Sequence, residues 1–219
     1  MHWDMSSAVL GLGMTAAQRE RAALVATMNE IGPDSPTLCE GWTTRDLAAH
    51  LVVRERRLDA APGIAIPALA GYTDRVQRQT AASTGWDELV DKVASGPPLL
   101  SPFKLVDAVA NMDEMFIHHE DVRRAQSGWE PRTLDADTIV ALRRPLAVMA
   151  RLTMAKVPAR VTLSTPDGQP VATVGRGPDL TVTGDIGELT MFVAGRDEAR
   201  LIFSDAQVAQ AVRAARRGL

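Results

Sequence analysis

The sequence predicts an α+β protein in which a helical bundle over residues 1–157 precedes a small α/β unit over residues 158–219. Apolar residues recur at helical spacing through the first part, and after Pro158 they alternate as they do in strands. The chain has 219 residues, of which 46% are hydrophobic and 23% are charged. A chain of this length and composition can bury its own core without a disulfide or a metal.

Six helices are predicted in the first part from apolar spacing and from the residues at their ends. Thr43 and Asp46 form a capping-box pattern, which satisfies free backbone N–H groups at a helix start. Ser101 and Pro102 are a cap and a first-turn proline, and Pro145 predicts a kink. The predicted helices cover residues 15–31, the segment that opens at Thr43, residues 71–82, residues 86–94, residues 102 to about 126 closed by Gly128, and residues 136–154 capped by Asp135.

Four short strands and two helices are predicted in the second part. Residues 160–164 alternate in polarity, and Pro166-Asp167-Gly168 has the composition of a hairpin turn. The remaining predicted elements are strands at 171–174, 179–183 and Ala199–Phe203, a helix from Asp185 or Gly187 to Gly195, and a last helix capped by Asp205.

The formal net charge of -3 argues against nucleic acid as a partner, because nucleic-acid binding calls for a concentrated basic surface. Cys39 is the single cysteine, so an intramolecular disulfide is impossible and a reducing, cytoplasmic location is expected. We expect no signal peptide and no membrane partner, since the sequence has neither pattern. The apolar helix stripes can be buried within one chain or between two, so monomer and homodimer both stay open.

Three residues on predicted helices are candidate ligands for one divalent metal. Glu114 and His118 are four residues apart, which places both on one helix face, and His50 can supply a third ligand if its helix faces theirs. Two histidines and one carboxylate with an open fourth position are the ligands of catalytic zinc sites. The same set also suits Fe, Mn or Ni, so zinc is a preference.

The residues around this set have competing interpretations. Asp121 and Asp46 are candidates to orient the two histidines through their outer nitrogens, although Asp46 is better explained as the capping-box carboxylate. His119 points about 100° away from His118 and is interpreted as a surface residue or one behind the ligands, and His2 as a mobile terminal residue. Cys39 is a candidate nucleophile, but a lone cysteine is more often a small buried hydrophobic residue.

Two stretches of the sequence resemble the mycothiol-dependent maleylpyruvate isomerase family, within the DinB-like superfamily of metal-binding four-helix bundles. Residues 38–51 contain Trp42 and His50 in a pattern similar to the family's W-T-x-x-D-L-x-x-H-L helix start. Residues 111–122 contain Glu114, His118 and Asp121 in a pattern similar to its E-x-x-x-H-x-x-D helix.

The resemblance implies a DinB-like up-down four-helix bundle over residues 1–157 and a small sterol-carrier-like domain over residues 158–219. It also implies that His50, Glu114 and His118 bind zinc and that mycothiol is a cofactor. Arg196 ends a segment similar to the one whose final arginine is implicated in substrate or thiol binding, which makes it a candidate catalytic residue. A helix-end arginine that binds C-terminal carbonyl groups is the alternative interpretation.

The expected function is a thiol transferase or a thiol-dependent isomerase, in which the metal activates the cofactor thiol toward an electrophilic substrate. Arg54 or Arg196 can bind a carboxylate of that substrate. A metal-dependent hydrolase and a non-enzymatic protein with a structural metal are the alternatives. The number of protein ligands distinguishes them in part, because a structural zinc normally has four.

Overall fold

A computed structural model describes residues 13–64, 66–98 and 112–215. The secondary structure of these residues confirms the predicted α+β class. It contains eight α-helices and one sheet of four strands. The helices are α1 (Ala16–Ile31), α2 (Thr44–Arg56), α3 (Ala70–Ser83), α4 (Trp86–Ser95), α5 (Met112–Arg124), α6 (Ala136–Thr153), α7 (Ile186–Val193) and α8 (Ala206–Ala215). Two short 3-10 turns, Ala61–Ile64 and Pro67–Leu69, connect α2 to α3.

The capping residues predicted from the sequence mark the observed beginning of helix α2. At the start of α2, the Thr43 N–H donates to Asp46 Oδ2 at 3.0 Å and the Asp46 N–H donates to Thr43 Oγ1 at 3.4 Å, which is the predicted capping box. The predicted start of the long helix at Ser101 and Pro102 lies outside the described residues. Its described part, α5, ends at Arg124, slightly before the predicted end near residue 126.

The strands are β1 (Arg160–Ser164), β2 (Pro170–Val174), β3 (Asp179–Thr183) and β4 (Ile202–Phe203). Their order in the sheet is β2-β1-β3-β4, in which β1 and β3 are parallel and the other pairs are antiparallel. The predicted fourth strand is present but begins at Ile202, so its predicted start at Ala199 was wrong. Arg200 instead donates its backbone N–H to the Glu188 carboxylate at 2.6 Å, which takes that residue out of strand pairing.

Helix α5 is buried between two apolar cores. Its Met115 and Val122 belong to a core shared with α1, α2 and α4. Its Met112, Phe116 and Ile117 belong to a second core that continues through α6 and α7 to the sheet. The second core therefore contains side chains from both sides of residue 157.

The division into domains at residue 157 and the up-down order of a four-helix bundle stay predictions. Among the described helices, none has the length and apolar character that crossing a membrane requires.

An ionic network joins α5 to its surroundings. Glu120 is fully buried and accepts hydrogen bonds from Arg124 Nε at 2.6 Å and Arg132 Nε at 2.6 Å. Arg132 also donates a hydrogen bond to Glu20 on α1, at 2.5 Å. Arg124 also donates one to Glu188 on α7, at 2.5 Å. Burial by itself raises the pKa of Glu120, but the charges of Arg132 and Arg124 outweigh burial and lower it.

We expect Glu120→Ala to destabilise the protein by about 3 kcal/mol, because Arg124 and Arg132 each lose one of their two carboxylate partners in a buried place. Urea unfolding followed by circular dichroism measures the change. The matched control is Glu88→Ala, which removes an exposed carboxylate paired with Lys92 on α4 and should cost about 0.5 kcal/mol or less. Equal losses in the two variants would contradict the role given to the network.

Candidate metal centre

Helices α2 and α5 bring His50, Glu114 and His118 into one cluster. The Oε1 atom of Glu114 lies 3.5 Å from His50 Nε2 and 3.3 Å from His118 Nε2. One possible ligand atom from each of the three residues lies within 4.8 Å of the other two. The two imidazole rings meet edge to face, with their centroids 5.3 Å apart. Both histidines are nearly buried, whereas the Glu114 side chain keeps 24% of its surface exposed.

The outer nitrogen of each imidazole contacts a different partner. Asp121 Oδ2 lies 3.1 Å from His118 Nδ1, and since an ionised carboxylate only accepts, Nδ1 is the donor. Gln77 on α3 places its Oε1 3.3 Å from His50 Nδ1, and this amide oxygen accepts the Nδ1–H of His50. Both contacts leave the Nε2 atoms directed at Glu114. This is the arrangement in which metal-binding histidines are usually held.

The charges in the cluster stabilise one another. Burial by itself raises the pKa of Glu114, but hydrogen bonds from His118 and His50 and the charge of Arg54 hold it well below its usual range. Burial by itself lowers the pKa of His118, but hydrogen bonds to Asp121, Cys39 and Glu114 hold it well above its usual range. Arg54 lies at the edge of the cluster, with Nε 3.2 Å from Glu114 Oε1. The metal-free cluster therefore holds an ionised Glu114 carboxylate beside the Arg54 guanidinium and the His118 imidazole, whose charged form is favoured.

Asp121 connects the cluster to the C-terminal part of the chain. Arg196 donates to it with two nitrogens, Nε to Oδ1 and Nη2 to Oδ2, both at 2.8 Å. The Cys39 thiol lies 3.2 Å from Oδ2, and Arg196 Nη1 donates to the Ala194 carbonyl at 2.7 Å. Burial by itself raises the pKa of Asp121, but the hydrogen bonds from His118 and Arg196 lower it to about 2.

The other described residues that the sequence offered as candidates near the cluster lie outside it. Asp46 is the capping-box residue, as its competing interpretation held. His119 is not a surface residue, because it is 3% exposed and sits between the Glu20 carboxylate, at 2.7 Å, and the Thr27 hydroxyl, at 2.9 Å. Its ring points away from the cluster because consecutive helix residues diverge by about 100°. His2 lies outside the described residues.

The sequence predicted a role for Arg196 only in part and did not predict one for Gln77. Arg196 makes the carbonyl contact of the helix-end interpretation and also the bidentate contact with Asp121, which no spacing in the sequence indicated. Gln77 was missed altogether. It carries no sequence signal, because only the packing of α3 against α2 brings it to His50.

The described residues therefore form an α+β fold in which helices carry a His-Glu-His cluster and a small mixed sheet follows them. Two solved structures share this fold. The mycothiol-dependent maleylpyruvate isomerase matches with a TM-score of 0.60 and 13% sequence identity, over 86% of this chain and 90% of that chain. A histidine-to-alanine mutant of that isomerase matches with a TM-score of 0.52 over the same shares and at the same identity. No family model and no curated protein matches the sequence.

We expect Glu114→Gln to lower the pKa of His118 in the metal-free protein, because it removes a negative charge 3.3 Å from the imidazole. The titration of the His118 ring, followed by NMR in a chelator-treated sample, measures the shift. Glu30→Gln is the matched control, since Glu30 is exposed on α1. An unchanged His118 titration in Glu114→Gln would show that the contact does not exist in solution.

Proposed function

We propose that this protein is a member of the mycothiol-dependent maleylpyruvate isomerase family and acts as a thiol-dependent transferase or isomerase. In this proposal His50, Glu114 and His118 hold one divalent metal, preferably zinc. The observation that carries the proposal is the spacing of their ligand atoms. The shared fold with an isomerase whose name records mycothiol dependence supports the choice of thiol chemistry.

The cluster fits the metal it is proposed to hold. Two ligands of a tetrahedral zinc ion, each roughly 2.0–2.1 Å from the metal, lie roughly 3.3–3.4 Å apart. The distances from Glu114 Oε1 to the two histidine nitrogens are 3.3 and 3.5 Å. Imidazole and carboxylate ligands suit zinc, and they also suit Fe, Mn or Ni.

The ligand count supports chemistry over a purely structural metal. In the described part of the chain, the group around Glu114 has three members, His50, Glu114 and His118. Three protein ligands leave a position for an exogenous molecule, whereas a structural zinc normally has four protein ligands.

A bound divalent metal lowers the pKa of a coordinated thiol, so that the nucleophilic thiolate exists at neutral pH. The side chains around the metal then have separate tasks. Gln77 and Asp121 hold the two imidazoles by their outer nitrogens, which keeps both Nε2 atoms directed at the metal position. Arg54 stands at the edge of the cluster, where its guanidinium can bind a carboxylate of an electrophilic substrate.

The finer parts of the proposal concern organisation and surroundings. We propose residues 1–157 as a DinB-like metal-binding helical bundle and residues 158–219 as a sterol-carrier-like domain. A cytoplasmic location fits the free, half-buried thiol of Cys39.

Metal content is the first test. Protein purified without an affinity tag or chelator should contain about one zinc per chain by mass spectrometry, and the double variant His50→Ala, His118→Ala should contain none, because it removes two of three ligands. The control is Glu30→Gln, an exposed change on α1 that should keep the metal. Wild-type protein that neither contains nor takes up zinc would overturn the metal centre.

The thiol chemistry needs its own assay. The zinc-loaded protein should convert maleylpyruvate, or couple mycothiol to another electrophile, only when mycothiol is present, and the histidine double variant should lose this activity. Ester or amide hydrolysis without any thiol would instead indicate that the metal activates water.

We expect Gln77→Leu to weaken zinc binding about 10- to 100-fold, since it removes the acceptor that fixes the His50 ring. Competition with a chromophoric chelator measures the affinity. Gln77→Glu keeps an acceptor at the same place and should restore most of the affinity, whereas Gln126→Leu, on the segment after α5, should have no effect. Wild-type affinity in Gln77→Leu would contradict the positioning role.

A further inference from the structure

The imidazole of His118 belongs to two possible metal-binding groups at once. On its Nε2 side stand Glu114 and His50, the proposed metal centre. On its Nδ1 side stand Asp121 and Cys39, whose ligand atoms also lie within 4.8 Å of one another and of the ring. A thiolate, an imidazole and a carboxylate are all ligands of zinc. Geometry alone therefore does not decide which edge of His118 receives the metal.

The carboxylate on the Nδ1 side, Asp121, already has four hydrogen-bond donors around it. Asp121 is fully buried, and its Oδ2 faces three donors: Arg196 Nη2 at 2.8 Å, His118 Nδ1 at 3.1 Å and the Cys39 thiol at 3.2 Å. Its Oδ1 accepts from Arg196 Nε at 2.8 Å. A metal that binds Asp121 has to displace at least one of these donors. The paired guanidinium fork is the strongest of them, because both its bonds are charge-assisted.

The positive charge of Arg196 also disfavours a metal ion on the Nδ1 side of His118. Its Nη2 lies 3.6 Å from Cys39 Sγ as well as 2.8 Å from Asp121, so it borders two of the three ligand atoms on this side. A divalent cation among these atoms would stand against a permanent positive charge in a buried place, where such repulsion is poorly screened. On the Nε2 side, Arg54 lies with its Nε 3.2 Å from Glu114 Oε1, at a carboxylate whose side chain is 24% exposed, so the repulsion there is better screened by solvent.

We propose that Arg196 is a positioning residue that assigns the two edges of His118. By holding both oxygens of Asp121 it closes the Cys39 side to metal and keeps the Nδ1–H of His118 on the carboxylate, so that the metal binds at Nε2. This inference rests on the proposed metal centre and gives Arg196 a role through Asp121, in place of direct contact with substrate.

Cobalt(II) tests the proposal, because a cobalt–thiolate bond produces a strong charge-transfer absorption in the near ultraviolet that nitrogen and oxygen ligands do not. Cobalt(II) is added to the metal-free full-length protein, anaerobically and without any added thiol. The wild-type protein should bind about one cobalt without the thiolate band. Arg196→Met should show the band, and the double variant Arg196→Met, Cys39→Ser should lose it again.

Two further variants separate positioning from general damage. Arg196→Lys keeps the positive charge and should show no band, although its affinity for cobalt should fall about 10-fold since the bidentate contact is lost. Arg160→Met, an exposed arginine paired with Asp179 on the sheet, should match the wild type. If Arg196→Met does not fold, Arg196→Gln is measured instead, because its neutral amide still donates to Asp121 while the charge is gone.

The outcomes for Arg196 and for the metal centre differ. A thiolate band in the wild type, or the absence of a band in both Arg196→Met and Arg196→Gln, would overturn the role of Arg196. Failure of the wild type to bind cobalt overturns the proposed metal centre. In that case a cobalt–thiolate site that appears only without Arg196 would still support the closed Cys39 side.

Discussion

The structure depends on helix α5, which lies between two apolar cores and still carries eight ionisable side chains, five of them buried. Buried charges are tolerated only when they are paired and hydrogen-bonded, so the surrounding segments must supply partners. Helix α5 meets this constraint with residues from α1, α2, the segment before α6, and the region around α7. The ionisable residues on α5 that have ionic partners are Glu114, His118, His119, Glu120, Asp121, Arg123 and Arg124.

The pairs divide by helix face. Glu120 and Arg124 hold α5 to the rest of the protein through Arg132 and Glu188. Glu114, His118 and Asp121 form the face that carries the candidate metal centre. Because ionic pairs fix both faces, the ligand atoms on α5 cannot shift without breaking buried contacts elsewhere. Rigid support of this kind is what a metal or a catalytic group requires.

The same constraint acts at the candidate metal centre. In the metal-free protein, His118 stands between two carboxylates, one at each ring nitrogen. A metal at Nε2 adds positive charge next to Glu114, while Asp121 stays neutralised by Arg196. The likeness to a mycothiol-dependent isomerase shows the fold at 13% identity, and fold alone does not define a reaction. The proposed function therefore depends on the side chains of the cluster.

The sequence by itself determined most of the local structure. Helix spacing, the capping box of Thr43 and Asp46, and the hairpin turn at Gly168 are short-range features, and the structure confirms them because backbone hydrogen bonding decides them within a few residues. The spacing of Glu114 and His118 placed two candidate ligands on one face, and packing brought His50 to them.

Only the tertiary structure decided what surrounds these residues. Gln77 reaches His50 across 27 positions of the chain, Arg196 reaches Asp121 across 75, and Cys39 reaches the same carboxylate across 82. The burial of His119 against Glu20 has the same origin. Contacts between distant segments depend on which helix faces pack together, and the periodicity of one segment carries no information about the partner that covers it.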